Sequence, residues 1–250
     1  MQKINRLYQL FLFVRSCLFS VFLFITMVPY SFLCLAALIF PLRVRYLMVV
    51  GWTYLMVKSL RFFCGIDYHV EGLENIPKDH PGVILSKHQS TWETLFLPTL
   101  FPNVAIIVKK ELMWLPFFGW GLFTVEPIAI NRSDRASAIE QIFNKGKKAL
   151  DQGRWILVFP EGTRVSPGVV GTYRQGGARL AVHAGYPVIP VAHNAGRYWP
   201  KRKFIKKPGT IHIAIGPLIE TKGRTPDAVI TDAKNWIEST LLRIDQNHSV

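Results

Sequence analysis

The chain has 250 residues, half of them hydrophobic and 18% charged, and its basic side chains outnumber the acidic ones 30 to 16. A formal charge of +14 suits a polyanion (nucleic acid, anionic headgroups or phosphorylated metabolites), and the apolar excess sets nucleic acid aside in favour of lipid. The three cysteines, Cys17, Cys34 and Cys64, form no Cys-x-x-Cys pair, so no redox or zinc motif and no catalytic thiol is implied.

From Ser16 to Phe40 the sequence "SCLFSVFLFITMVPYSFLCLAALIF" carries no charge over 25 positions, enough for a helix to cross a hydrocarbon core. Pro29, near its middle, predicts a kink or a re-entrant pair. The next apolar stretch, Tyr46 to Val57, is short for a span and reads as an interfacial helix. Lys3, Arg6 and Arg15 precede the long segment, and Arg43, Arg45, Lys58 and Arg61 follow the bend. If the chain returns to the side it left, all these charges face one leaflet, which the positive-inside tendency makes cytoplasmic. The length of the run, and Arg15 at its start, argue against a cleaved signal peptide. The expected division is a membrane-associated helical segment over 1–65 and a globular domain over 66–250.

Past Ile66, short Val- and Ile-rich runs alternate with helical stretches. "GVILSK", "VAIIVKK", "FTVEPIAI", "RWILVFP", "PVIPVAH" and "TIHIAIG" read as strands. "STWETLFLPTL", "RASAIEQIFNKGKKALDQG", "QGGARLAVHAG" and "TPDAVITDAKNWIESTLLRI" read as helices. In the second of these, Ala138, Ile142, Phe143 and Leu150 share a face, and Gly153 follows its end. Such alternation predicts an α/β sheet covered on both faces, with ligands outside the strand ends. Three strand-end loops are unusually polar: "SKHQST", "KKEL" and "PEGTR".

In "SKHQSTWET", His88 is suited to general-base work at neutral pH, provided an acceptor orients its second ring nitrogen. On a continuous helix a residue five positions on would lie about 140° away. Glu93 can therefore serve only if His88 sits in the preceding turn. Ser90 and Glu93 spell a capping box that would supply this geometry. In "FPEGTR", Gly162 separates Glu161 from Arg164, whose guanidinium could hold a phosphate bidentately, with Thr163 and the Gly162 amide as further donors. The alternative there is an Arg–Glu surface bridge, which leaves the intervening Gly and Thr unexplained. Ser86 and Ser90 lack a Gly-x-Ser-x-Gly elbow, so a serine hydrolase has little support. His69, His80, His183, His193, His212 and His248 show no metal-ligand spacing. "LMWLPFFGWG" suits either a lipid-contacting loop or a buried turn, and the basic "RYWPKRKFIKKPG" suits headgroups or carrier phosphates over nucleic acid.

"KHQSTWE", "KKELMWLPFFGWGLFTVEPIAINR", "FPEGTR" and "YPVIPVAHN" stand in order between Tyr68 and Pro217. Together they resemble the four blocks of the lysophosphatidic acid and glycerol-3-phosphate acyltransferase family, most closely its bacterial 1-acylglycerol-3-phosphate members. The resemblance implies a mixed, largely parallel sheet flanked by helices, and a bacterial inner-membrane enzyme with its catalytic domain on the cytoplasmic side. It implies that His88 deprotonates the acceptor hydroxyl while Glu93 orients the imidazole. The alkoxide would attack the thioester of an acyl-CoA or acyl-carrier protein directly. Lys109, Lys110, Arg132 and Arg164 would lie near the acceptor phosphate, Glu161, Gly162 and Thr163 would shape the same substrate loop, and Val188, Ile189 and Pro190 would line or back the site. A thioester is already activated, so no metal, nucleotide or redox cofactor is expected. The product would be phosphatidic acid, with glycerol-3-phosphate, another lysophospholipid or a lyso-aminolipid as alternative acceptors. A membrane-tethered, non-catalytic polyanion binder is the competing class. The family's first block is His-x4-Asp, whereas here Glu93 adds a methylene, so the helix entry or the histidine rotamer must differ.

Overall fold

The computed structural model describes residues 6–131 and 135–246. Two helices open the chain, α1 (Arg6–Ala36) and α2 (Leu42–Cys64), with a short 3-10 turn at Ala37–Ile39 between them. Of the two outcomes expected at Pro29, a kink or a re-entrant reversal, the reversal falls instead at Phe40 and Pro41. Pro41, with φ held at −56° and no N–H to leave unpaired, starts α2. The first helix continues through Pro29 because α2 holds it on both sides of the proline. Tyr30 donates its hydroxyl to the Met48 carbonyl at 2.8 Å, and the Trp52 indole N–H reaches Thr26 Oγ1 at 3.3 Å. The second apolar stretch also proves longer than expected, because Arg43, Arg45, Lys58 and Arg61 are all helical. Arg6–Ile39 and Leu42–Cys64 are both long and apolar enough to cross a membrane.

Gly65, at φ +67°, ends α2 in the left-handed conformation that suits glycine, its N–H bonding the Arg61 carbonyl at 3.0 Å. A seven-stranded sheet follows, made of β1 (Ile66–Glu71), β2 (Val83–Ser86), β3 (Ala105–Lys109), β4 (Ile128–Ile130), β5 (Ile156–Val158), β6 (Val188–His193) and β7 (Gly209–Ile215). Its order is β1-β7-β6-β2-β5-β3-β4, and every neighbouring pair is parallel except β6 and β7. The mixed, largely parallel α/β sheet expected from the sequence is therefore present. β1 escaped the pattern reading because it is an edge strand with only Ile66 buried, so it lacks a Val/Ile run. "FTVEPIAI" reads as one strand, but only its last three residues pair. Phe123 ends α4 (Phe118–Phe123), and Glu126, at φ +51°, turns the chain before Pro127.

The remaining helices are α3 (Trp92–Leu100), α5 (Arg135–Asp151), α6 (Gly176–Ala184) and α7 (Pro226–Gln246). Strand alternation divides the core into two layers. Ile84, Leu157, Ile189 and Val191 face α2 and α3, meeting Met56, Leu60, Trp92 and Phe96. Val83, Leu85, Ile156, Val158 and Val188 face the other way, onto Leu150, Leu180 and Val229. Each large side chain so buried contributes roughly 1.5–3 kcal/mol. Met56, Val57 and Leu60 are fully enclosed, so the boundary at residue 65 marks a change of element and not a break in the core.

Gly72 sits at φ +82°, and a Cβ there would collide with the Ile215 carbonyl oxygen at the end of β7. Gly72→Ala is expected to destabilise the chain by at least about 2 kcal/mol, combining left-handed strain with overpacking, read as a fall in thermal midpoint.

Candidate active site

Because β6, β2, β5 and β3 lie side by side and parallel, their C-terminal ends open on one edge of the sheet. The polar loops after β2, β5 and β3 therefore meet there, in the crevice where open α/β sheets hold ligands. Two main-chain contacts knit the first two loops together. The Val165 N–H donates to the His88 carbonyl at 2.8 Å, and the His88 N–H donates to Glu161 Oε2 at 2.9 Å.

The His88 ring stacks on Phe159 with centroids 4.0 Å apart and planes 19° from parallel, and its side chain is 16% exposed. Its Nδ1 lies 2.9 Å from Glu93 Oε1, inside a fully buried carboxylate. That same oxygen accepts the amides of Gln89 at 2.9 Å and Ser90 at 2.8 Å. Burial acts to raise the Glu93 pKa, but the pull of His193 and His88 whenever either ring is protonated, with the hydrogen bonds from His88 and the Ser90 amide, outweighs it and holds the carboxyl below its ordinary range. An ionised carboxylate only accepts hydrogen bonds, so Nδ1 carries the proton and Nε2 presents its lone pair to a substrate. This is the tautomer a general base needs.

The helix entry departs from the expected capping box. α3 begins at Trp92, one residue later than a Ser90 cap would place it, and the Ser90 hydroxyl accepts the Trp92 N–H at 3.2 Å in place of the Glu93 N–H. Half of the box survives, in the Glu93 carboxylate returning to the Ser90 amide. The longer acid is accommodated by this entry: its extra methylene lets the carboxylate reach back over both amides and the ring.

His193, set aside in the sequence as unremarkable, lies fully buried beside the pair. Its ring bonds the Lys87 carbonyl through Nε2 at 2.8 Å and accepts the Ala195 N–H at Nδ1 at 3.3 Å. Burial pushes its imidazole down, so it stays neutral behind the His88 ring. Its only sequence signal is its place in "PVIPVAHN", since it is far from His88 in the chain.

The "PEGTR" loop splits into an inner and an outer half. Gly162 turns at φ +69°, and its N–H is spent on the Phe159 carbonyl at 2.9 Å, so that amide is not the phosphate donor expected. Glu161, expected to bind substrate, is buried instead, its Oε1 2.7 Å from the Lys87 ammonium. Burial pushes its carboxyl up, and the Lys87 ammonium opposes that without cancelling it. Past the turn, Thr163 is exposed and Arg164 lies on the rim, donating to Thr91 Oγ1 at 2.7 Å. Lys201, from the basic loop, clamps this half through Thr163 Oγ1 at 3.1 Å and the Arg164 carbonyl at 2.6 Å. Lys109 and Lys110 are exposed at the end of β3, on the same edge. Arg132 lies outside the described residues. Val188, Ile189 and Pro190 are buried within β6, behind the site.

Two further segments flank this edge. In "LMWLPFFGWG", Phe117 and Trp120 pack on Phe32 of α1, whereas Trp114 is 77% exposed. The segment is thus both a packed turn and an apolar surface. In the basic loop, the Lys206 amide bonds Ser16 Oγ of α1 at 2.9 Å, and its buried ammonium sits over Phe19, Trp199 and Phe204. This lysine is committed to holding α1. Among the described residues, no three His, Cys, Asp or Glu side chains gather as a metal-binding group.

Residues 67–194 match the family model described as "Acyltransferase". The chain is 47% identical over 210 residues to the 1-acyl-sn-glycerol-3-phosphate acyltransferase of Pseudomonas aeruginosa, covering 82% of this chain and 81% of that one. It is 30% identical over 178 residues to mouse 1-acyl-sn-glycerol-3-phosphate acyltransferase alpha, covering 70% of this chain and 62% of the relative. The crystal structure of the 1-acyl-sn-glycerophosphate (LPA) acyltransferase PlsC from Thermotoga maritima superposes with a TM-score of 0.78, at 23% identity and over 93% of this chain and 95% of that one. That last likeness is one of fold.

Shortening Glu93 withdraws its carboxylate from two amides and the ring at once. Glu93→Asp is therefore expected to lower kcat by about 100-fold with KM little changed, measured by steady-state kinetics. His193 binds fewer protons folded than unfolded, so the stability gained by keeping it neutral is complete above its ordinary 6.5 and lost as pH falls through its lower folded value. Glu93 adds a loss of the same sign as pH drops below 4.5. Thermal midpoints should fall from pH 7 to pH 4, with the first part of that fall flattened in His193→Gln.

Proposed function

This chain belongs to the acyltransferase family, and we propose that it moves a fatty acyl group from acyl-CoA or acyl-carrier protein to the sn-2 hydroxyl of 1-acyl-glycerol-3-phosphate, giving phosphatidic acid. The observation that carries the reading is the His88–Glu93 pair, with Nε2 available on the same sheet edge as Arg164, Lys109 and Lys110. In the reaction, Nε2 takes the proton of the acceptor hydroxyl as its oxygen attacks the thioester carbonyl. Glu93 stabilises the imidazolium that forms and keeps Nδ1–H pointing at itself. The tetrahedral intermediate collapses by expelling the thiolate, which recovers the proton from Nε2. The ester and the free thiol leave a neutral His88 ready for the next turnover, with no covalent enzyme intermediate. Arg164, with the lysines after β3, holds the acceptor phosphate, a task suited to a forked guanidinium. The donor's thioester is already activated, so no metal or cofactor is assigned a step.

The lipid acceptor requires access to a membrane, which the N-terminal hairpin supplies. Its exposed side chains include Leu7, Leu10, Phe11, Phe13, Val21 and Phe24, continuous in character with Trp114 and Leu115 of the aromatic segment. The hairpin lies along the catalytic domain and does not project from it. The first half of α1 contacts Phe204 and Lys206, and its second half contacts Phe117 and Trp120. Such a helix beds into one leaflet with the active-site edge at the headgroups, which we place on the cytoplasmic side of a bacterial inner membrane.

Purified protein with one acyl-CoA should acylate 1-acyl-glycerol-3-phosphate in preference to glycerol-3-phosphate or a zwitterionic lysophospholipid. A preference for either of the others would refute the acceptor assignment. His88→Ala should lower kcat by 10²–10⁴-fold or so without loss of membrane binding. Arg164→Ala should chiefly raise the KM for phosphate-bearing acceptors.

A further inference from the structure

Beneath the His88 loop lies a charge cluster used by neither the catalytic pair nor the phosphate rim. Lys87, the residue before the base, is fully buried, and its ammonium has three acceptors. They are Glu161 Oε1 at 2.7 Å, Glu238 Oε1 at 2.8 Å and the Val169 carbonyl at 3.2 Å. Since an ammonium carries three protons, its orientation is fully determined. Glu238 comes from α7, and its Oε1 also accepts the Tyr173 hydroxyl at 2.7 Å. The second oxygen of Glu161 accepts the amide of His88 itself at 2.9 Å. An unbroken chain of charge-assisted bonds therefore runs from α7 and Tyr173, through Lys87 and Glu161, to the peptide that carries the base.

A buried ion pair is weak evidence for stability, because apolar side chains of equal volume often do as well once desolvation is counted. An ammonium with every proton used, and a carboxylate with one oxygen on it and the other on a catalytic amide, do something apolar residues cannot. They fix the direction of a peptide. Lys87 and His88 are neighbours in the loop just after β2, the Lys87 ammonium sealed in the cluster and the His88 ring partly exposed on Phe159, so the anchored lysine holds one end of the peptide that bears the histidine. Gly171 closes over the cluster, and a Cβ there would stand 2.7 Å from Glu161 Oε1.

We propose that Lys87, Glu238 and Tyr173 are positioning residues for the catalytic histidine, setting through Glu161 the peptide from which the His88 ring reaches both Phe159 and Glu93. The inference rests on the reading of His88 as the general base. It adds that the rate depends on side chains in α7 and in the loop before α6, which approach no substrate.

The test uses the full chain in detergent or vesicles, with three variants. Lys87→Met should lower kcat by about 100-fold, the scale of a misplacement near 1 Å, with KM for both substrates within about twofold. Glu238→Gln, which keeps the Lys87–Glu161 pair, should lower it by about tenfold, and Tyr173→Phe by less. If Lys87→Met fails to fold, Glu238→Gln and Tyr173→Phe decide the matter. A second readout needs no substrate. In protein with 15N-labelled histidine, the wild-type His88 ring should show one tautomer at pH 8, protonated at Nδ1, whereas Lys87→Met and Glu238→Gln should show a mixture. Variants with wild-type kcat and a single tautomer would overturn the proposal, as would a rise in KM at constant kcat. If the wild type transfers no acyl group yet the variants still mix tautomers, the acyltransfer reading fails and the positioning role stands.

Discussion

The structure turns on one buried carboxylate. Glu93 is wholly removed from water, and such a charge persists only where donors replace its hydration. The amides of Gln89 and Ser90 and the Nδ1–H of His88 are those donors, all within 2.9 Å. Each constrains a different part of the site: the amides set how the chain enters α3, and the ring bond sets the tautomer of His88. The parallel register of β2, β5 and β6 then delivers what surrounds the pair, with Phe159 beneath the ring, Glu161 on its amide and His193 behind.

The N-terminal hairpin is bound to this arrangement more closely than an anchor needs to be. α2 contributes Met56 and Leu60 to the same core layer as Ile84 and Ile189, so a helix apolar enough to cross a membrane also covers the sheet. α1 is held at Ser16 by the Lys206 amide and at Phe32 by Trp120. Part of the basic loop is thereby committed to α1. Lys206 is cut off from solvent among aromatic rings, burial pushes its ammonium down, and Lys201 clamps the loop that bears Arg164. The contacts to α1 and to the loop bearing Arg164 therefore come from one segment.

Much of this was legible in the chain. Strands as apolar as "GVILSK" and "PVIPVAH" announce themselves, because central parallel strands are buried on both faces. β1 did not, since an edge strand need not be apolar, nor did α4, whose glycines and aromatics read as a loop. Pro29 removes one helix bond and so reads as a kink or a re-entrant point, and that the chain does not reverse there rests on Tyr30 and Trp52, whose contacts join α1 to the other helix. Glu161 was grouped with Arg164 because they are neighbours in sequence, and the left-handed turn at Gly162 sends them to opposite sides.

By itself, then, the sequence determined the α/β class and the apolar N-terminus, because these depend on periodicity and composition, while the spacing of His88 and Glu93 only permitted a pairing that the four blocks implied. Only the tertiary structure decided which charges stay on the open edge and which are buried beneath His88. Lys87 and Arg164 are both basic, and each belongs to one of the four blocks. One is sealed between Glu161 and Glu238, the second of them 151 residues away, and the other lies on the rim. No local pattern distinguishes them, because the desolvation that separates a supporting charge from a binding one is set by chain segments that meet only when the sheet has formed.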